Sequence, residues 1–162
     1  MKVTKRFVDK GECLGSFGDE IIVTCPRCSG CAVIRQSDRE LPSGWFRLAR
    51  LVCRKCSYSQ GLQKSHLQLI SYRHRRHDHC FDRPVWLQTP CCGEVLWARN
   101  EAHLEFLEAY VGAQLRERAR GEQGWSNHSV GSRMPLWMKS AKNREEVMKG
   151  LGRLRVRLKA GA

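Results

Sequence analysis

Nine cysteines are the residues of this chain with the clearest chemistry, and four of them form two Cys-x-x-Cys pairs, Cys25 with Cys28 and Cys53 with Cys56. A Cys-x-x-Cys turn presents two thiolates from one tight backbone loop, and two such turns supply the four sulfur ligands of a tetrahedral Zn²⁺ site. The sequence therefore predicts one zinc ion held by these four cysteines. Since four protein ligands leave no position for a water molecule, we expect this zinc to be structural.

Cys31 leaves a second interpretation of the first pair open, because Cys28-Ser29-Gly30-Cys31 is also a Cys-x-x-Cys sequence. We favour Cys25 as the ligand since it begins a Cys-Pro-x-Cys turn, a common form in zinc sites. Cys31 is then a buried or oxidation-sensitive thiol. Two alternatives lack zinc: metal-free clusters of buried cysteines, and a dithiol that cycles with a disulfide. The second is disfavoured because no βαβ pattern surrounds either pair.

A second metal site is a weaker prediction, built around the adjacent residues Cys91 and Cys92. The side chains that could join them are His74, His77, His79, Cys80 and His103. Adjacent cysteines can both bind one metal only with a distorted backbone, so we favour buried thiols that support the local fold. Cys13 is isolated in the sequence and needs no function.

The histidines near cysteine also allow a catalytic interpretation, in which a cysteine is an activated nucleophile. The segment from His74 to Cys80 lies among arginines, however, and nothing nearby marks an oxyanion site or an orienting acid. We therefore expect no enzymatic activity and no small-molecule substrate.

The elements that must position the four cysteines are predicted from the residues on either side of them. Ile21 to Val23 leads into the first pair and Ala32 to Ile34 leads out, which predicts a β-hairpin over it. Trp45 to Val52 and Tyr58 to Leu62 flank the second pair in the same way. The polar residues 37–44, which include Pro and Gly, are expected to form the loop between the two hairpins.

The second half of the chain is predicted to hold a third hairpin after a basic linking segment at 65–82. Its strands are centred on residues 85–87 and 95–97, and its turn is expected to carry both Cys91 and Cys92. Trp86 and Trp97 are predicted to face each other across this hairpin.

Two amphipathic helices are predicted to follow. The first covers about residues 101–120, with Asn100 as its N-cap and an apolar stripe at Leu104, Leu107, Val111 and Leu115. A glycine-rich connector at 121–132 contains Trp125 and leads to a final helix that begins at 140 or 143 and ends at 159. The apolar face of that helix is Val147, Leu151, Leu154 and Leu158.

The formal charge of the chain is +13, with +5 over residues 25–60, −3 over 85–111 and +8 over 112–162. Excess positive charge attracts polyanions, so nucleic acid, DNA or RNA, is the first partner to consider, although such charges are also common on solvated surfaces. The predicted phosphate contacts are Arg47, Arg50, Arg54, Lys55, Arg73, Arg75, Arg76, Lys139, Lys142, Arg144, Arg153 and Arg157.

The cellular compartment is predicted from what the sequence lacks. No window approaches the apolar length that a membrane span needs, and the first ten residues contain no apolar signal core. An odd number of cysteines without a secretion signal favours metal ligands and reduced thiols over disulfides. We expect a cytoplasmic protein with no membrane partner.

The segment from Cys25-Pro26-Arg27-Cys28 to Cys53-Arg54-Lys55-Cys56 resembles the zinc ribbons of the transcription-factor-IIB type. The later runs at 84–94 and 137–146 resemble a small bacterial family of zinc-ribbon proteins. These resemblances imply a zinc-ribbon fold but no particular activity, because zinc ribbons act as nucleic-acid binders, as polymerase or ribosome adaptors and as structural supports.

The predicted class is α+β, a zinc ribbon with an additional β-hairpin and two packed C-terminal helices. Residues 1–64 are expected to hold the ribbon with an N-terminal extension, and 65–162 the basic linker, the hairpin and the two helices, packed as one unit with the ribbon. The predicted function is noncatalytic binding of nucleic acid or a nucleoprotein assembly. The alternative is a protein-interaction adaptor or accessory subunit with a purely structural zinc.

Overall fold

The computed structural model describes residues 5–41, 44–65, 76–119 and 127–161. Its strands are β1 Arg6–Asp9, β2 Glu20–Thr24, β3 Cys31–Leu41, β4 Gly44–Val52, β5 Ser59–Ser65, β6 Leu87–Cys91, β7 Glu94–Ala98 and β8 Leu115–Arg118. Its α-helices are α1 Glu101–Gly112, α2 Val130–Arg133, α3 Leu136–Lys139 and α4 Arg144–Gly161, and 3-10 turns lie at Leu14–Phe17 and Ala141–Asn143. The mixed α+β class is confirmed. Among the described helices, none is long and apolar enough to span a membrane.

A four-stranded antiparallel sheet in the order β2-β3-β4-β5 holds the predicted ribbon, and we call this part of the chain the ribbon half. The described residues from β6 onward are called the helical half. Ile21, Val23, Ile34 and Leu51 are fully buried on one of its faces. β-branched and aliphatic side chains favour strands here, and β2 is buried on both faces because Ile22 is buried as well. Both hairpins predicted around the cysteine pairs are confirmed.

The loop predicted at 37–44 is wrong, because β3 continues to Leu41 and β4 begins at Gly44. The backbone register pairs Asp38 with Arg47 and Glu40 with Trp45. Strand propensity depends strongly on context, so polar composition alone does not exclude a strand. Strands β3 and β4 therefore extend further from the cysteine turns than the sequence predicted.

The third hairpin is confirmed as β6 and β7, but its turn consists of Cys92 and Gly93 alone. Both residues have positive φ, 54° and 78°, as in the type I′ turns that match the twist of two-residue hairpins. Placing both cysteines in the turn was wrong, since Cys91 ends β6. The prediction that Trp86 and Trp97 face each other across the hairpin was also wrong, because Trp97 pairs with Gln88.

Helix α1 begins where it was predicted to begin and ends earlier. The Asn100 side chain accepts a hydrogen bond from the His103 N–H, as an N-cap does. Arg116 donates to the carbonyl groups of Tyr110 and Val111, at 2.9 and 3.3 Å, so its guanidinium satisfies the end of the helix. Leu115, predicted on the helical stripe, instead begins β8.

Strand β8 pairs in parallel with β1 near the start of the chain. Phe7 of β1 makes edge contacts with Phe106 and Tyr110 of α1, with ring centroids 5.2 and 5.3 Å apart. The described N-terminal residues thus pack against the helical half. The predicted division between residues 64 and 65 stays a prediction.

The final helix is confirmed as α4, whose Val147, Leu151 and Leu154 are fully buried. It packs on α1, β6 and β7. The connector predicted at 121–132 ends too late, because α2 begins at Val130. Ser129 caps this helix, since its hydroxyl oxygen accepts a hydrogen bond from the Ser132 N–H.

Among the described residues, buried side chains form two groups, which we call the helical core and the ribbon core. The helical core is Phe17, Ile22, Leu87, Cys91, Leu96, Ala98, Leu104, Phe106, Leu107, Tyr110, Val111, Met134, Met138, Val147, Leu151 and Leu154. The ribbon core is Ile21, Val23, Cys25, Ala32, Ile34, Ala49, Leu51, Cys53, Cys80 and Val85. Trp86 packs against the helical core and Trp97 against the ribbon core.

Candidate metal centre

The turns that precede β3 and β5 bring together the four cysteines predicted as ligands. The Sγ atoms of Cys25, Cys28, Cys53 and Cys56 all lie within 4.8 Å of one another. Two of the pairs, Cys25 with Cys56 and Cys28 with Cys53, are 3.6 Å apart. A regular tetrahedron with Zn–S bonds of about 2.3 Å has edges of about 3.8 Å. The donor set and its spacing therefore fit a metal ion such as zinc.

The two cysteine turns share one backbone geometry. The Cys25 N–H donates to the Gly30 carbonyl at 2.8 Å, and the Cys53 N–H donates to the Tyr58 carbonyl at 2.9 Å. The residue after the second cysteine of each turn, Ser29 or Ser57, has a positive φ, 55° and 58°. Short polar residues tolerate this left-handed conformation better than β-branched ones do. Each half-site is thus fixed by the fold of its own hairpin.

Burial and hydrogen bonding shift the pKa values of Cys25 and Cys56 in opposite directions. Burial raises the pKa of the Cys25 thiol, but hydrogen bonds from two N–H groups of its own turn and from two neighbouring thiols lower it to about 7. The N–H of Tyr58 lowers the pKa of the Cys56 thiol, but desolvation and the neighbouring thiols raise it to about 12. Metal binding here must therefore displace protons, which makes the affinity pH-dependent.

The two cysteine turns themselves contain three exposed cations: Arg27, Arg54 and Lys55. The Lys55 side chain crosses to the other turn, where a Cβ added at Gly30 would lie 3.1 Å from its Cδ and 3.2 Å from the Cys28 sulfur. A larger residue at position 30 would therefore crowd the Lys55 side chain and the Cys28 sulfur. A metal ion with four thiolates carries net negative charge, which these cations would offset.

Cys31 lies beside the four-thiol group and outside it. Its carbonyl oxygen is 3.4 Å from the Cys53 sulfur. Burial and the charge of Cys53 raise the pKa of the half-buried Cys31 thiol. The last turn of α4 covers it, because a Cβ added at Gly161 would be 3.0 Å from the Cys31 sulfur. Of the two readings of the first pair, the geometry agrees with the one that uses Cys25.

The weaker second metal site is not assembled within the described ranges. The sulfur atoms of Cys91 and Cys92 are 3.8 Å apart, but no other group of three Cys, His, Asp or Glu ligand atoms converges in the part of the chain that the structure describes. His77 contacts Asp82 at 3.0 Å and His79 contacts Gln36 at 2.8 Å. Cys80 is buried in the ribbon core, and His74 lies outside the described residues.

His103 has a structural environment in α1. Its ring stacks on Phe17 with centroids 5.0 Å apart, and its Nδ1 lies 3.2 Å from the Arg99 backbone N–H, which donates to it. Burial and the nearby Arg99 charge lower the pKa of this imidazole to about 3. It is therefore neutral at physiological pH.

Of the residues predicted to contact phosphate in and next to the ribbon half, those whose side chains the structure describes are exposed. Arg50 is exposed on β4, where its Nε donates to the Ser59 hydroxyl at 3.3 Å. Arg54 and Lys55 lie in the second cysteine turn, and Arg76 is exposed. Arg47 is on β4, while Arg73 and Arg75 lie outside the described residues.

In the helical half, several of the predicted phosphate contacts have internal partners. The Lys139 ammonium donates to the Ser132 carbonyl at 2.9 Å. Arg153 donates to the Thr89 hydroxyl and the Pro90 carbonyl, and the Arg157 guanidinium lies 4.1 Å from the centre of the Trp86 ring. Arg144 is half-buried and Lys142 is exposed. Whether any of these residues contacts phosphate stays a prediction.

Two arginines that were not among the predicted site residues, Arg116 and Arg155, each have several polar contacts. Arg116 contacts three carbonyl groups at the ends of α1 and α3. Arg155 pairs with Glu108 at 2.6 Å and Glu101 at 2.8 Å. The acidic stripe of α1 could have indicated a basic partner helix, whereas nothing local indicates the role of Arg116.

The fold and this site define a mixed α+β protein with a four-cysteine group that could hold a metal ion. Comparisons with protein-family models, with curated proteins and with solved structures found no match to the chain. The resemblance to transcription-factor-IIB-type zinc ribbons therefore stays a prediction from the quoted motifs.

Proposed function

We propose that this chain is a noncatalytic zinc-ribbon module that binds nucleic acid or a nucleoprotein assembly through the basic surface of its metal-binding half. The observation that carries the proposal is the charge beside the four-thiol group. Across the side chains described at 20–37 and 48–62, the only carboxylate is Glu20, which pairs with Arg35 at 3.2 Å. The cations there are Arg27, Arg35, Arg50, Arg54 and Lys55.

The metal would act as a structural support. Zinc suits four thiolates at tetrahedral spacing, and Cys25, Cys28, Cys53 and Cys56 would supply all of its ligands. The ion would link two hairpins whose strands already share one sheet. Ligation energy would then add directly to folding and fix the cations of both turns relative to each other.

The basic surface fits phosphate because the described cations on it outnumber carboxylates and are exposed. Contacts to phosphate position a protein on nucleic acid without specifying sequence. Arg54 and Lys55 are the strongest candidates, since both are exposed and adjacent in the chain. The internal partners of Lys139, Arg153 and Arg157 make the ribbon half the better-supported surface.

Salt dependence of binding tests this proposal. If about five phosphates are neutralised, log affinity should fall with log salt with a slope near −4.5 on duplex DNA, or about −3.5 on single strands. Zinc-loaded protein would be titrated into labelled duplex DNA, single-stranded DNA and structured RNA at several salt concentrations. Absence of binding at low salt would remove the nucleic-acid proposal.

A matched pair of double variants locates the surface. Arg54→Gln with Lys55→Gln should reduce the slope by about 2 and weaken binding. Lys149→Gln with Lys159→Gln removes the same charge from exposed positions on α4 and should have a smaller effect. Native mass spectrometry should show equal metal content in both. Equal losses of affinity would show that net charge alone matters and would contradict a binding surface on the ribbon.

The second candidate is a protein-interaction adaptor, and exposed apolar residues on the helical half favour it. Leu136 is 83% exposed and Val156 is 69% exposed. If the helices bind a partner protein, Leu136→Ser should abolish co-purification of that partner without changing metal content. Copurification retained in this variant, together with steep salt dependence on nucleic acid, would favour the first candidate.

A further inference from the structure

Two thiols lie in contact outside the metal centre, Cys91 at the end of β6 and Cys92 in the β6–β7 turn. Cys91 is buried with 3% of its surface exposed, whereas Cys92 is exposed. The Cys91 S–H can donate to the Cys92 sulfur at 3.8 Å or to the Glu146 carbonyl of α4 at 3.6 Å. One sulfur thus faces solvent with a potential proton donor behind it.

The geometry of the turn does not explain why residue 92 is a cysteine. Cys92 has φ 54°, and the first position of a type I′ turn is usually occupied by Asn, Asp or Gly. Its side chain is exposed and adds nothing to either core. A residue that is unfavourable for the backbone and unused in packing indicates a chemical role.

We propose that Cys91 and Cys92 are a redox modification site that peroxide converts to a vicinal disulfide. This inference does not depend on the proposed function, because neither zinc nor nucleic acid takes part in it. Cys92 is the residue attacked first, since it is accessible, and Cys91 is the resolving thiol.

The reaction balances with hydrogen peroxide as the oxidant. The Cys92 thiolate attacks one peroxide oxygen, the O–O bond breaks, and Cys92 becomes a sulfenic acid as hydroxide leaves. The Cys91 sulfur then attacks the Cys92 sulfur, the S–O bond breaks, and a second hydroxide leaves. The two hydroxides take up the protons of the two thiols as water. Two thiols and one peroxide thus give one disulfide and two waters.

The product should be easy to reduce. Adjacent Cα atoms across a trans peptide bond are about 3.8 Å apart, which is below the range of about 4.4 to 6.8 Å found in ordinary disulfides. A strained and exposed disulfide has a more oxidising potential than a structural one, so small thiols can reverse it. Burial and the hydrogen bond to Cys92 raise the pKa of the Cys91 thiol to about 11, which makes the resolving step slow.

The disulfide would alter the contact between the hairpin and α4. A Cβ added at Gly150 would be 3.2 Å from the Cys91 sulfur, so the helix approaches the hairpin at this thiol. Forming the disulfide removes the Cys91 S–H that can donate a hydrogen bond to the Glu146 carbonyl. It also pulls the Cys91 sulfur toward the turn. Oxidation should therefore increase amide exchange in the first turns of α4.

Peptide mapping of oxidised protein tests the proposal. Purified, reduced protein is treated with increasing peroxide, and free thiols are then alkylated. We expect the peptide that contains residues 91 and 92 to lose two hydrogen masses, to resist alkylation and to recover on reduction. A sulfinic acid or a dimedone adduct at Cys92, with Cys91 still alkylated, would overturn the proposal.

Two variants provide the controls. Cys92→Asn supplies a residue suited to the turn and should fold, yet it should give no disulfide at this position. Cys13→Ser removes another exposed thiol, whose pKa is lowered by a hydrogen bond from Ser16, and the disulfide should form in it as in the wild type. If oxidation of Cys91 persists in Cys92→Asn, or is lost in Cys13→Ser, the pairing is wrong.

Discussion

The ribbon half and the helical half of this protein are both basic but use their cations differently. In the helical half, Arg116, Lys139 and Arg153 donate to carbonyl groups of neighbouring elements. In the ribbon half, Arg54 and Lys55 are exposed in a cysteine turn. Net charge therefore does not locate an interface. The structure of each half decides whether a cation stabilises the fold or remains available to a partner.

The two halves also differ in what holds them together. The helical core contains aromatic and aliphatic side chains from both ends of the chain. The ribbon core is smaller, and two of its buried members are the candidate ligands Cys25 and Cys53. A core of that size gains relatively little from burial, so metal binding should contribute much of its stability. The helical half should depend mainly on apolar packing.

The largest expected effect comes from removing a ligand. Cys53→Ser should release the metal and unfold the ribbon sheet, because zinc ligation is worth about 10 kcal/mol or more in zinc-finger peptides. Native mass spectrometry should show the loss of the ion. Hydrogen exchange should show rapid exchange across β2 to β5, while amides of α4 near Leu151 remain better protected.

Cys13→Ser is the matched control, since Cys13 is exposed and lies outside the four-thiol group. Its metal content and exchange pattern should equal those of the wild type. Stoichiometric metal retained in Cys53→Ser would refute the assignment of the ligands. Equal loss of protection in both halves would refute the difference in what stabilises them.

The four-cysteine group was predictable because its chemistry is encoded locally. Two short motifs, each set between β-prone residues, suffice to bring four sulfur atoms together once their hairpins share a sheet. The turn at Cys92 and Gly93 was also within reach, since a glycine at the second position of a two-residue turn is a known signal.

What the sequence could not show depends on contacts between distant residues. Helix α1 ends at Gly112 although Leu115 continues its apolar stripe, because Arg116 caps the carbonyl ends and β8 pairs with β1. Strands of four residues give too little periodicity to predict such pairing. The distinction between internal and exposed arginines is likewise a property of the folded chain.

A deletion in the helical core should have the next largest effect. Leu151 is fully buried on α4, so Leu151→Ala should lower the free energy of unfolding by about 3 kcal/mol through lost burial and the cavity left behind. Denaturant unfolding monitored by helical circular dichroism measures it. Val156→Ala on the exposed face of α4 should change the value by less than about 0.5 kcal/mol.

Metal content should stay unchanged in Leu151→Ala if the ribbon holds its own site. A fall in zinc stoichiometry that parallels the loss of helical stability would show that the two halves unfold as one unit. The prediction that the ribbon half depends on metal and the helical half on apolar packing would then be wrong.

The smallest of these effects is the acid sensitivity of the helical half. His103 has a pKa of about 3 in the folded protein, against about 6.5 in an unfolded chain, so the unfolded state binds the proton more readily. The stability that the neutral ring contributes is complete above pH 6.5 and is lost as pH falls towards 3. At pH 5 the loss should be about 2 kcal/mol.

His103→Asn separates this effect from the release of metal in acid. Asparagine can accept the hydrogen bond that the Arg99 N–H donates to Nδ1, but it does not titrate, and the four cysteines are the same in both proteins. The variant should lose stacking on Phe17 at every pH, so its stability relative to the wild type should improve steadily from pH 7 to pH 5. Parallel stability curves over that range would show that protonation of His103 does not cause the acid sensitivity.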